Sequence, residues 1–122
     1  MRPRLRFRFP YFWLVASPYL AFFLGSFLNI LVVTANHGYM PVHQSSIIFN
    51  NFGVHASGYV LDEVHRIMQP SDHLKILADW IEIPRRAVAS PGDLLLWLGE
   101  WLEGWTFIAW LAFLWRDHNR EQ

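Results

Sequence analysis

The chain has 122 residues, 53% of them hydrophobic and 17% aromatic, with seven Trp and no Cys. A soluble domain of this size buries too small a share of its surface to hide so many large apolar side chains, which points to a lipid environment. Ten basic residues balance ten acidic ones. The net charge of zero argues against a nucleic-acid partner, and the lack of Cys excludes disulfides, thiolate metal sites and thiol redox chemistry.

Arg2, Arg4, Arg6 and Arg8 precede a stretch without Asp, Glu, Lys or Arg that continues to Asp62. Residues 1–9 read as a basic cytoplasmic tail, since basic residues beside a span stay on the inner side. Tyr11 to Ala35 is almost continuously apolar. As a helix it reaches about 37 Å, enough for a hydrocarbon core of about 30 Å. The spacing predicts a first transmembrane helix over residues 10–35. It is far longer than the roughly 7–15-residue apolar core of a signal peptide. Pro18 predicts a kink, with Ser17 placed to satisfy a freed carbonyl. Ser17, Ala21, Gly25 and Asn29 recur every four residues, a face on which another helix can approach closely and be hydrogen-bonded. The other faces carry Phe12, Trp13, Tyr19, Phe22, Phe23 and Phe27, which suit lipid, a second subunit or a flat hydrophobic cofactor.

Residues 36–93 read as an ordered extracytoplasmic loop with apolar clusters at Ile47-Ile48-Phe49 and Val60-Leu61. Two short amphipathic surface helices are predicted, about Tyr59–Met68 and Ser71–Ile81. Pro70 separates them, and Leu74, Leu77, Ala78 and Ile81 fall on one face of the second. Ser90-Pro91-Gly92-Asp93 then opens a second transmembrane helix over 94–115, with Ser90 or Asp93 as cap. Within it Trp97, Trp101 and Trp105 form one stripe, and the intramembrane acids Glu100 and Glu103 lie on roughly the opposite side beside Gly99. Residues 116–122, with Arg116 and Arg120, form a second cytoplasmic tail. The expected fold is therefore an all-α membrane protein, with two transmembrane helices joined by an ordered outer loop and both termini cytoplasmic.

Five of the six His lie between residues 37 and 73: His37, His43, His55, His65 and His73. Imidazoles ligate metals and haem, and Asp62, Glu63, Asp72 and Asp79 stand near enough in sequence to complete a site. No spacing matches a ligand motif, so ordinary loop histidines are the simpler reading and a metal is disfavoured. His37, at the end of the first span, is the best candidate for a haem or pigment ligand. Ser45 and Ser46 have His43 nearby but none of the sequence of a nucleophile elbow, and no catalytic set is assembled.

Three segments fall in order: Ala35-Asn36-His37-Gly38-Tyr39-Met40-Pro41-Val42, then Leu77-Ala78-Asp79-Trp80-Ile81 leading to Ile83-Pro84, then Ser90-Pro91-Gly92-Asp93. Over about residues 28 to 105 the chain resembles an uncharacterised family of small bacterial integral-membrane proteins, a domain of unknown function with an NGGxMPV … LxD … P … SxGD pattern. His37 stands where that pattern tends to have Gly, and Pro91 where it tends to have an aliphatic residue. The resemblance implies a multi-span protein of the bacterial inner (cytoplasmic) membrane and supplies no activity. Its shared polar positions are Asn36, Asp79, Ser90 and Asp93, which would gather at the outer face if the loop folds back. They serve there as caps and turns or as a ligand site.

These features predict a non-catalytic accessory or structural subunit of a larger membrane complex, respiratory or photosynthetic in type. Its expected partners are membrane lipids and other integral-membrane subunits, without nucleic acid, and its candidate cofactors are a bound lipid, pigment or haem. The alternatives are a metal- or haem-binding protein using the loop histidines, and a small homo-oligomeric transporter or channel with Glu100 and Glu103 at its pore.

Overall fold

A computed structural model describes residues 9–46, 61–83 and 87–119. The basic tail, His55, the Ile47-Ile48-Phe49 cluster, Pro84 and Arg120 lie outside the described residues. Two long helices, α1 (Phe9–Ala35) and α2 (Pro91–His118), enclose a small cap in chain order. The cap holds strands β1 (Met40–Val42), β2 (His65–Ile67), β3 (Ile81–Ile83) and β4 (Ala87–Ala89), with a 3-10 turn at Lys75–Leu77.

Helix α1 follows from its unbroken apolar run. Pro18 removes the N–H that would bond the carbonyl of Leu14, and the Ser17 hydroxyl donates to that carbonyl at 3.4 Å instead. The helix stops in a reversal in which the Gly38 N–H reaches the Val33 carbonyl at 2.9 Å. That closure needs a left-handed residue at position 37, and His37 takes it at φ 58°. A residue with a Cβ pays about 1 kcal/mol for that conformation. His37→Gly is therefore expected to raise stability by about 1 kcal/mol, read as a higher unfolding midpoint in detergent. A lower midpoint would mean that the exposed imidazole holds something of its own.

In the cap, β1 runs parallel to β2 in the register Met40↔His65, Pro41↔Arg66 and Val42↔Ile67. Its other edge pairs with Asp79, whose N–H donates to Pro41 O at 3.0 Å and whose carbonyl accepts from His43 N at 2.8 Å. Strands β3 and β4 pair antiparallel and lead into α2. Val32 of α1, Met40 and Ala78 form a buried cluster, with Val33, Met68 and Leu77 packed on it. The cap thus sits on the C-terminal end of α1.

These elements correct the expected surface helices. Tyr59 and Val60 lie outside the described residues, and the rest of the stretch predicted as helix Tyr59–Met68 contains β2 instead, while Ser71–Ile81 holds the 3-10 turn and enters β3. Leu74 is left-handed at φ 53°, which breaks any α-helix there, and Asp79 gives its backbone to β1. The apolar face at Leu74, Leu77, Ala78 and Ile81 is a spacing shared by a tight turn followed by a strand. The fold is helical with two small sheets, and not all-α.

Helix α2 starts three residues before the predicted Leu94. Ser90 and Asp93 form a reciprocal capping box, and Pro91 takes the first helical position, where its missing N–H costs nothing. The helices pack antiparallel through glycines. Gly25 lies against Gly92 and Leu96, and Gly99 against Pro18 and Phe22. The predicted packing face of α1 therefore meets α2 of the same chain. Ala21 and Gly25 are buried there, Asn29 is half-buried, and Ser17 bonds within its own helix. Among the described residues one helix segment, Phe12–Ala35, is long and apolar enough to cross a membrane.

Candidate functional site

The polar residues of the three sequence motifs gather where α1, α2 and the cap meet, in three groups. The first joins the helices. Asn29 Nδ2 donates to Asp93 Oδ1 at 2.7 Å, and Asn29 Oδ1 accepts from Ser90 Oγ at 2.7 Å. The remaining capacity of Ser90 and Asp93 goes into the capping box, through Ser90 N to Asp93 Oδ2 and Asp93 N to Ser90 Oγ, both at 3.0 Å. Gly92 makes room for this, since a Cβ there would collide with the Asn29 amide. The second group ties the end of α1 to the cap. Buried Asn36 donates to Val32 O at 2.8 Å and His73 O at 2.9 Å, and accepts from His73 N at 2.8 Å. Asn29, Asn36, Ser90 and Asp93 are thus engaged within the chain as caps and clamps.

The third group is centred on His65. His65 on β2 places Nδ1 2.8 Å from Asp62 Oδ2 and Nε2 3.6 Å from Asp79 Oδ2. Asp62 also accepts from the N–H groups of Val64 and His65 at 2.8 and 2.7 Å. Slight burial pushes the Asp62 carboxyl up, but those two N–H groups and the His65 ring outweigh it and hold the carboxyl below its ordinary value. Asp79 has the opposite setting. Its side chain is only 8% exposed, and its Oδ1 is buried with no hydrogen-bond partner among the described residues. Burial first, then the charges of Asp93 and Asp62, push it up to about 7 against the pull of His65.

This arrangement gives a pH dependence. The Asp79 carboxyl is raised from 3.8 to about 7. Between those values the unfolded chain has released the proton and the folded chain keeps it. Stability is therefore full below the window and falls as pH rises through it. Asp79→Asn is expected to flatten that fall, gaining on the parent protein toward pH of about 7, as read from unfolding midpoints in detergent across the range. Parallel curves for the two proteins would contradict the assignment.

The other sequence candidates are dispersed. His37 and His73 are exposed, the first in the turn after α1 and the second bonded to Asn36 through its backbone. His43 Nδ1 lies 2.8 Å from Ser45 Oγ, and that hydroxyl donates to Glu82 at 3.0 Å. The Ser45 and Ser46 hydroxyls both donate to Glu82 Oε1, at 3.0 and 3.3 Å, which ties the turn after β1 to β3. Among the described residues no three His, Asp or Glu side chains are grouped to hold a metal ion. Glu100 and Glu103 stand apart, in a groove between the helices far from the cap. Sequence reasoning did not pair Arg66 with Asp72. Arg66 bonds buried Asp72 at 2.6 Å and lies over the Tyr39 ring, which braces β2 against the following turn.

No curated protein and no solved structure matches the chain. A profile described as a family of unknown function, DUF5317, matches residues 7–102, a span that takes in α1, the whole cap and the first turns of α2. The polar groups at Asn29, Asn36, Asp79, Ser90 and Asp93 all fall inside that match, and the chain belongs to the DUF5317 family.

Proposed function

We propose that this protein is a non-catalytic structural subunit of a larger membrane assembly, with α1 and α2 crossing the bilayer and the cap on its outer side. One observation carries the reading. The helices cover each other on a single face, and most of the remaining surface of both is large apolar side chains open to the surroundings, with Phe23 75% and Trp115 71% exposed. Water does not tolerate a contiguous patch of that extent, whereas lipid and neighbouring helices do. The polar groups serve that role as clamps, holding a rigid cap on a rigid pair. Arg2 to Arg8 and Arg116 to Arg120 flank the same end of the antiparallel pair in sequence, which supports a topology with both termini on the cytoplasmic side, here of a bacterial inner membrane.

Gentle extraction from native membranes tests this, followed by size-exclusion chromatography with mass spectrometry and a visible spectrum of the same peak. The expected result is co-elution with other integral-membrane chains. A peak holding this chain alone overturns the subunit reading and shifts the weight to a homo-oligomer.

A further inference from the structure

The helices stay close from Gly25–Gly92 to Pro18–Gly99 and then part. Beyond that point a groove of about 620 Å³ lies between Val15 and Tyr19 on α1 and Glu100, Glu103, Phe107 and Trp110 on α2. A Cβ added at Gly104, in the same groove, would meet nothing within 4 Å. Glu103 and Trp110 stand four and eleven residues after Gly99. At about 100° per residue they fall within about 40° of the direction in which Gly99 packs on α1. They thus face the side that a helix covers one turn earlier, and here it is open.

We propose that this groove seats a transmembrane helix of a partner protein that presents a Lys or Arg to Glu100 and Glu103. The proposal rests on the reading of α1 and α2 as membrane-embedded. Charge complementarity identifies the occupant, since a carboxylate within an apolar belt is costly and is paired or watered. No described cation reaches these two. Arg66 bonds Asp72 and Lys75 bonds Pro70 O, both in the cap. Arg116 lies thirteen residues past Glu103, about 20 Å along the helix. Tyr19, Phe107 and Trp110 line the groove, and aromatic rings attract a cation and pack against a helix. The open length also suits a helix. Phe9 stands nine residues before Pro18 and Ile108 nine after Gly99, so α2 from Ile108 to Trp115 has no described α1 residue beside it.

A photoreactive phenylalanine analogue in place of Phe107, irradiated in native membranes, tests this. A second probe at Leu24, about 140° round α1 from Tyr19, is the control. The expected Phe107 adduct maps to a membrane helix of another protein within one turn of a Lys or Arg. Its yield should fall about tenfold in Glu100→Gln/Glu103→Gln, with the Leu24 adducts unchanged to show that the pair still folds. The proposal is overturned by adducts to lipid alone, to residues 1–8 of the same chain, or to a helix without a basic residue, and equally by a yield that ignores the double substitution. Failure of the parent reading looks different, with neither probe capturing lipid or a membrane protein.

Discussion

Gly25→Leu is expected to separate the two helices. A Cβ at position 25 would stand 2.6 Å from the Gly92 carbonyl oxygen, 3.0 Å from Leu96 N and 3.1 Å from Leu95 Cβ. Two of those atoms are backbone within α2, so no rotamer change relieves the clash, and Leu adds three further carbons. Overpacking of this kind costs about 1–3 kcal/mol where neighbours yield, and these do not, so the upper end or beyond is expected. Because the same contact brings Asn29 to Asp93, separation also breaks the polar clamp. The check is thermal unfolding in detergent for Gly25→Leu beside Leu24→Ala, whose side chain is exposed. An unchanged midpoint in Gly25→Leu would contradict the packing described.

The second large effect is expected at Asp93. Its carboxylate accepts from Asn29 Nδ2 and Ser90 N and lies at the positive end of α2. Asp93→Ala leaves a half-buried amide and a helix cap without their acceptor. With each charged hydrogen bond worth about 1.5–3 kcal/mol, a loss of about 3 kcal/mol is expected. Asp93→Asn keeps the shape without the charge and should lose less. Both variants carry a second signature. The Asp93 charge helps to push Asp79 up, so its removal should bring the Asp79 titration down toward the ordinary carboxylate range. Carboxyl NMR of Asp79 in a folded Asp93→Asn protein reads this directly, and an unmoved titration would refute the coupling.

What the sequence disclosed follows the range of the forces involved. Helix α1 was readable to within one residue because its signal is a long apolar run, a property of local composition. The substitute hydrogen bond at Leu14 was readable because Ser17 and Pro18 are adjacent. The cap of α2 was half-read. Ser90 and Asp93 were each recognised as candidates, but both act, and together they move the start to Pro91. The interior of the cap was misread because its determinants are distant. The strand at His65–Ile67 exists only because Met40–Val42 lies beside it, and the left-handed Leu74 is held while its neighbour His73 bonds Asn36, thirty-seven positions away. Among the site residues, Asn29, Asp79, Ser90 and Asp93 stood out as polar groups in apolar or turn settings. Their pairing did not, since hydrogen bonds between residues more than sixty positions apart leave no periodic trace. His65 was singled out as one of a histidine group. Asp62 and Asp79 stood among four acids offered to that group, and β2 in place of the predicted helix is what brings these two to His65.

Because the chain contains no Cys, single cysteines report on one position at a time. The most direct test of the membrane-embedded pair is labelling of intact cells with a membrane-impermeant maleimide at Phe23→Cys on α1, Trp101→Cys on α2 and Ser71→Cys on the cap, all three exposed in the isolated chain. The account predicts rapid labelling of Ser71→Cys from outside, with Phe23→Cys and Trp101→Cys labelled only after denaturation. Labelling of Phe23→Cys and Trp101→Cys as fast as Ser71→Cys would show both helices facing water and would contradict it.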